Sequence, residues 1–333
     1  APGGVFKAVA TGLEAEGATL AELRLDATGD NLLDAAGTLV ADIAASGLDA
    51  GGATAREVTA HVEASDLTGA PAATATAKVS GIDAGGATVR SAVLEASGRD
   101  LVAAPNGTAK LRIEGVDAAG AATFSRIDLT AEGGMDALKL ALDARGETEA
   151  GEAVTVGVSG DGALVGEGAT FRFGRLEAKA GDKGIAQRGA LTLRQAGGAQ
   201  SFDGINLELP GGALTGKVAL RGGGLVGELA LAVPDVSVPA ALFEAPVTAG
   251  AVRLRADFDT RAGSPRADVA VDATGLMIRD VTEEADQALN VALRTDWNGR
   301  VLNADGQVTG GFGDALRVTA AIPLRPAGLV PAP

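Results

Sequence analysis

Apolar and polar residues alternate with period 2 from the start of the chain to about Ala144. Val58, Ala60, Val62 and Ala64 share one parity, with Glu57, Thr59, His61 and Glu63 on the other; Leu138, Leu140 and Leu142 likewise oppose Lys139, Ala141 and Asp143. This is the signature of half-buried antiparallel strands. The strands come in a repeat. SGIDAGGATVRSAVLEASGRDL (Ser80–Leu101) is preceded by SGLDAGGATAREVTAHVEASDL from Ser46 and TGLEAEGATLAELRLDATGDNL from Thr11, and followed by EGVDAAGAATFSRIDLTAEGG from Glu114. Its glycines, Gly12, Gly47, Gly81 and Gly115, recur every 34 or 35 residues, a period that denotes an array of one supersecondary unit. The Gly-rich segments Asp49–Gly52 and Asp83–Gly86 read as hairpin turns, because glycine adopts positive φ without strain. The connections through Asp66–Ala72 and Arg99–Gly107 hold Pro71 and Pro105 and read as the second turn of each repeat. Two strands per period predict roughly 20 strands in all.

The spacing then loosens while the pattern persists. Ala169–Asp182 matches Ala87–Asp100 at seven of fourteen positions, and the Gly-rich Glu147–Glu167 between the arrays reads as bulged or weakly paired. From Gly189 the apolar positions carry larger side chains: Leu191, Leu193, Leu207, Leu209, Leu225, Leu229, Leu231, Val252, Leu254, Phe258, Val269, Val271, Leu289, Val291 and Leu293. Glu208, Glu228, Arg253, Arg255, Asp257, Asp268, Asp272, Asn290 and Arg294 stand between them. Val238–Phe243, with Pro239 inside and Pro246 beyond, reads as one short helix. The expected organisation is residues 1–146 as hairpin repeats, 147–324 as their degenerate continuation, and 325–333 as a Pro-rich tail. The start, APGGVFKA, has neither Met nor a signal-peptide pattern, so the expectation is a piece of a longer protein.

Composition removes several classes of function. The 333 residues contain no Cys, no Tyr and one His, against 49 Gly, which leaves no thiolate chemistry and no ordinary zinc site. A net charge of -15 repels phosphate backbones and anionic headgroups, so no nucleic-acid partner is expected. No apolar run approaches the ~20 residues of a membrane helix. His61, flanked by Glu57 and Glu63, reads as a solvated residue between two acids. Gly222-Gly223-Gly224 and Gly310-Gly311 lack the following Lys-Ser/Thr of a phosphate loop, and Asp161-Gly162 and Asp203-Gly204 lack the spacing of calcium-binding nonapeptides. No catalytic constellation, metal or cofactor is expected, and the chain is read as a non-enzyme. An alternating sheet must still cover its apolar face. Periodicity alone leaves two solutions open: a closed core filled by its own side chains, or an open trough filled from outside. The Ala-rich face (Ala60, Ala64, Ala92, Ala96) leans to the trough, since Ala fills little volume.

Leu207–Asp280 resembles the periplasmic repeat region of TamB proteins, translocation and assembly module subunits related to AsmA-like bridge-like lipid transfer proteins. The resemblance rests on a GGxLxGxVxL strand, a P-x-x-LF short helix, a connection ending in G-[ST]-P within Arg261–Pro265, and ATGLxIRD; Val308–Leu324 resembles the strand pair that follows. It covers about Gly189–Leu324, and the Ala-rich repeats of the first 180 residues depart from it. It implies an all-β, elongated β-taco: a curved, mostly antiparallel sheet forming a U-shaped trough with an apolar interior. Roughly 20 strands at ~4.8 Å each would make such a trough about 95 Å long. The implied partners are phospholipid acyl chains lying on the fifteen apolar residues from Leu191 to Leu293 named above. A TamA-like outer-membrane barrel subunit would dock through parts this sequence lacks. The implied location is the periplasm, anchored to the inner membrane. The alternative is a secreted β-helical adhesion or passenger module with a closed core; an enzyme acting on envelope polymers is the least favoured class.

Overall fold

The computed structural model describes residues 3–323 apart from 16, 35, 119–121, 167, 243–244, 262–264, 280–281, 283–286 and 311–312. The Pro-rich tail, Phe243 and the centre of the Arg261–Pro265 connection lie outside the described residues. The chain is all-β, with 21 strands, every described pairing antiparallel, and a single short helix among the described residues. Two compact units divide it: Ala1–Val165 with Leu176–Asp182, and Gly166–Arg175 with Lys183–Pro333.

The first unit is a meander of β1 (Gly4–Ala15), β2 (Ala18–Asp30), β3 (Thr38–Ala50), β4 (Ala53–Ser65), β5 (Ala72–Ala84), β6 (Ala87–Arg99), β7 (Asn106–Ala118), β8 (Ala122–Gly134), β9 (Ala137–Thr148) and β10 (Ala153–Val165). Each pairs with the next, so a residue type repeated every 34 positions forms a straight row across the sheet. Ala8, Leu25, Ile43, Ala60, Ala77, Leu94, Leu111, Leu129, Leu142 and Val158 are successive partners in one such row. The Gly-rich Glu147–Glu167 departs from expectation here. Instead of being weakly paired it supplies β10, which runs against β9 without a register shift from Ala153 to Gly162. Its glycines cost backbone entropy, but long ladders on a preformed neighbour offset that cost.

The repeat glycines have a role that alternation does not reveal. Gly12, Gly47, Gly81 and Gly115 lie within strands rather than in turns, each at φ of 60–64°. Pairing stops on both sides of them and resumes in unchanged register: Thr11 faces Glu22 and Leu13 faces Leu20, with the same skip at every hairpin as far as β7–β8. The less exposed positions change parity at this line, from Leu39, Ala41, Ile43 and Ala45 to Leu48 and Ala50 in β3. A left-handed glycine re-aims every second strand, and because these glycines line up opposite Ala21, Arg56 and Arg90 of the strands between, the sheet keeps its register. Arg56 and Arg90 lie over the glycine of the next strand, with Cβ atoms 3.0 and 2.9 Å from where a Cβ on Gly81 or Gly115 would sit.

The second unit contains the first half of β11 (Gly168–Ala180), then β12 (Lys183–Gln187), β13 (Leu191–Ala196), β14 (Ala199–Leu209), β15 (Gly212–Arg221), β16 (Gly224–Val233), α1 (Ser237–Leu242), β17 (Val247–Asp259), β18 (Arg266–Ile278), β19 (Leu289–Trp297), β20 (Val301–Gly310) and β21 (Gly313–Pro323). β13 and β12 share β14, pairing with its first and second halves. Between them β14 bulges at Gly204, and the buried Gln187 amide satisfies the freed backbone, donating to Gly204 O at 2.6 Å and accepting from Asn206 N at 3.1 Å. The helix expected at Val238–Phe243 starts one residue earlier. Asp235 accepts from the Ser237 backbone N–H at 2.9 Å and its hydroxyl at 2.6 Å, which fixes the first turn and holds the Asp235 carboxyl below its usual range. Val236 and Ala240 are buried, and a Cβ on Gly211 would lie 2.9 Å from Val238 Cβ, so only glycine fits under α1.

Candidate functional site

The register gathers all fifteen predicted lining residues onto one parity of the second unit. One row runs Phe171, Leu193, Phe202, Val218, Gly227, Phe258, Ala267, Trp297, Leu302 and Ile322. Another runs Leu207, Leu214, Leu231, Leu254, Val271, Leu293, Gly306 and Val318. Leu229 and Val269 lie in a row between these two, and Val252 and Val291 in a row beyond the second. Towards the strand ends Leu191 faces Phe173, Leu209 faces Gly212, Leu225 faces Leu220, and Leu289 faces Leu276.

Sequence reasoning missed several members of this face, among them Phe171, Phe173, Phe202, Val218 and Leu302. The Phe171 and Phe173 rings lie 6.4 Å apart and 20° from parallel. The signal for them was present as F-x-F alternation at Phe171 and Phe173. The apolar face of the first unit, read from Ala60, Ala64, Ala92 and Ala96 as leaning to a trough, was not carried into the predicted lining residues.

Neither apolar face is, among the described residues, buried as a covering layer would bury it. Among the described residues no side chain is fully buried, and the buried apolar residues are Ala55, Ala144, Val236, Ala240 and Ala273. Leu94 and Leu129, central in their row of ten, remain 36% and 38% exposed. A sheet packed against a second layer would bury such positions almost completely. Among the described residues neither unit shows the fully buried apolar side chains of a closed core.

The opposite face is charged and solvated. Arg294 Nη2 donates to both carboxylate oxygens of Asp272 at 2.8 and 2.9 Å, Lys217 meets Glu228 at 3.1 Å, and Arg194 meets Asp203 at 2.7 Å. Arg261 holds the Asp259 carboxyl down to about 2. Exposed pairs of this kind add little to stability, because water and salt screen them. Asp257, Asp268 and Asp296 stand directly opposite one another, an arrangement that like charges disfavour, and the Asn303 amide donates to Asp296 at 2.6 Å. They border a groove of about 730 Å³. Among the described residues no cluster of His, Asp and Glu is placed to hold a metal ion.

His61 lies on the polar face of the first unit, in a groove of about 490 Å³ with Arg24, Asp26, Asp42 and Lys78. Its Nδ1 is 2.7 Å from Asp42 and its Nε2 is 3.3 Å from Glu63. Glu57, expected as its second acid, is not a partner; the cross-strand Asp42 is, through a register that the sequence does not display. The hydrogen bond to Asp42, and then that to Glu63, raise the imidazole pKa above 6.5. A raised folded-state pKa means that the stability of this pair is present below the unfolded value and lost as pH rises through the folded one. A nuclear magnetic resonance titration is expected to show His61 titrating above 6.5 and moving back towards it in Asp42→Asn; an unmoved titration would refute the pairing.

Comparison with protein-family models, curated proteins and solved structures finds no match. Among the described residues no helix is long and apolar enough to cross a membrane.

Proposed function

We propose that the apolar face of each unit carries the acyl chains of phospholipids, and that the chain is a periplasmic segment of the TamB kind, conducting lipid between membranes in support of outer-membrane biogenesis. The observation that carries this reading is the uncovered face: rows of Leu, Val, Ile, Ala and Phe continuous over many strands, left partly exposed among the described residues. An apolar surface of that extent marks an interaction site. Alkyl chains suit it because they need no polar partners and gain about 0.8 kcal/mol for each CH₂ taken from water. Rows perpendicular to the strands give a chain a path from one strand to the next without crossing a charged position. An outer-membrane barrel subunit is the protein partner that this reading proposes. The adhesion-module alternative requires a closed core and loses support with it.

Purification from a diderm bacterium followed by lipid extraction and mass spectrometry is expected to recover phospholipid in stoichiometric or greater amount. Recovery of none, together with no uptake of a fluorescent fatty acid, would dispose of the reading.

A further inference from the structure

The two edges of the first unit, where its strands turn, are chemically different. At one edge the described tips are small or acidic: Gly51-Gly52, Gly85-Gly86 and Glu149–Glu152. The other edge carries the connections β2–β3, β4–β5, β6–β7 and β8–β9, and its tips include the two most exposed large apolar residues of the described chain, Val102 and Leu33, together with Met135. Val102 is 80% exposed, Leu33 75% and Met135 57%. The start of β1 lies at the same edge, with Val5 and Phe6 at 68% and 58%.

These tips are built rather than frayed. The first three connections each open with a left-handed Asx residue, Asn31, Asp66 and Asp100, at φ of 51, 54 and 52°. The next residue turns back: Leu32 and Leu101 pack against Gly29 and Gly98, where an added Cβ would meet their methyl carbons at 2.5 and 2.6 Å. The residue after that points out, and it is Leu33, Thr68 or Val102. Backbone bonds hold the loops, Asp34 N to Asn31 O at 2.8 Å, Ala104 N to Asp100 O at 3.1 Å, and Leu101 N to Pro71 O at 3.0 Å between neighbouring loops. Successive tips stand two strands apart, about 10 Å.

We infer that this loop edge is a membrane-contact surface for a zwitterionic lipid bilayer, with Leu33, Val102 and Met135 entering the headgroup–acyl boundary. Discrete aliphatic tips separated by acids such as Asp34, Asp66, Asp100 and Asp136 do not make the contiguous apolar centre that a protein interface needs. A lipid surface accepts each tip separately and lets the charges between remain in water. The same acids, in a chain of net charge -15, set the lipid class, since anionic headgroups would repel them. The inference goes beyond acyl conduction and stands without it.

Sedimentation of the full chain with phosphatidylcholine vesicles tests it. Joint replacement of Leu33, Val102 and Met135 by Asp is expected to lower the partition coefficient about tenfold or more, while Thr68→Leu raises it severalfold. Binding should be insensitive to salt and weaker on phosphatidylglycerol vesicles. Circular dichroism confirms folding of the triple variant, and Thr68→Leu gives an independent reading if it fails. No binding to phosphatidylcholine, an unchanged triple variant, a silent Thr68→Leu, or salt-sensitive preference for phosphatidylglycerol would each overturn the inference. Fatty-acid uptake separates it from the acyl-face reading: the triple variant should take up fatty acid as the parent does, and a parallel loss of both would show that the loop edge is not a separate surface. A parent that binds vesicles but takes up no fatty acid would fail the acyl-face reading alone.

Discussion

Joint replacement of Leu229, Leu254 and Val291 by Asp is expected to abolish acyl-chain binding, with the apparent affinity for a fluorescent fatty acid falling by about 100-fold or more. The three residues lie on β16, β17 and β19 in adjacent rows of one face, each flanked across the ladder by apolar partners such as Ala256, Leu231 and Val271, and Ala273 and Val308. An alkyl segment of about six methylenes passing over them gains about 5 kcal/mol at ~0.8 kcal/mol per CH₂. A carboxylate beneath it must either be stripped of water or hold the chain away, and both outcomes remove that gain. The fold should survive, because the positions are only partly buried and an Asp there can still reach solvent. Arg253→Ser, one residue from Leu254 but on the charged face, should leave binding within about twofold, as expected of an exposed side chain. Equal behaviour of the two variants would defeat the two-face reading. Collapse of the triple variant to an unfolded chain would instead indicate a covered core at these positions.

The alternation of Val58, Ala60, Val62 and Ala64 made the strands legible, and the 34-residue period made their number legible, because both are local properties of the chain. Pro239 and Pro246 around an apolar cluster marked α1 in the same way. Register is not local, so the rows themselves were hidden, and with them the pairing of His61 with Asp42. The line of left-handed glycines was visible only as a defect. Val89, Ala92 and Leu94 fail to keep one alternation because the strand changes parity at Arg90, opposite Gly81 and Gly115. A single copy shows that as noise, whereas stacked copies make it a feature of the sheet. The Gly-rich β10 misled for the converse reason: composition reports what a strand costs, not what its neighbour supplies. The exposed tips at Asn31-Leu32-Leu33 and Asp100-Leu101-Val102 went unread, because which apolar residue turns back depends on Gly29 and Gly98 in the preceding strands.

Gly216→Ala is expected to be the most damaging small substitution in the second unit, costing about 3 kcal/mol or more. Gly216 sits in β15 at φ of 150°, between Ile205 of β14 and Leu229 of β16. A Cβ there would lie 2.1 Å from Glu228 O and 3.0 Å from both Glu228 C and Leu229 Cα. All three are backbone atoms, so no rotamer change relieves the clash and the β15–β16 ladder itself must open. Gly222, in the turn of the same hairpin, is the control. It is also left-handed, at φ of 56°, yet an added Cβ would meet nothing within 4 Å. Gly222→Ala therefore carries only the backbone strain, about 1–2 kcal/mol. Urea denaturation of both variants should give midpoints in the order parent, Gly222→Ala, Gly216→Ala, and a Gly216 variant no weaker than the Gly222 variant would contradict the packing described. Because stability in such an array passes from each strand to its neighbours, opening β15–β16 also disperses the row that holds Leu229 and Val269. Gly216→Ala should accordingly lose acyl binding without placing any polar group on the apolar face, which separates the continuity of the face from its chemistry.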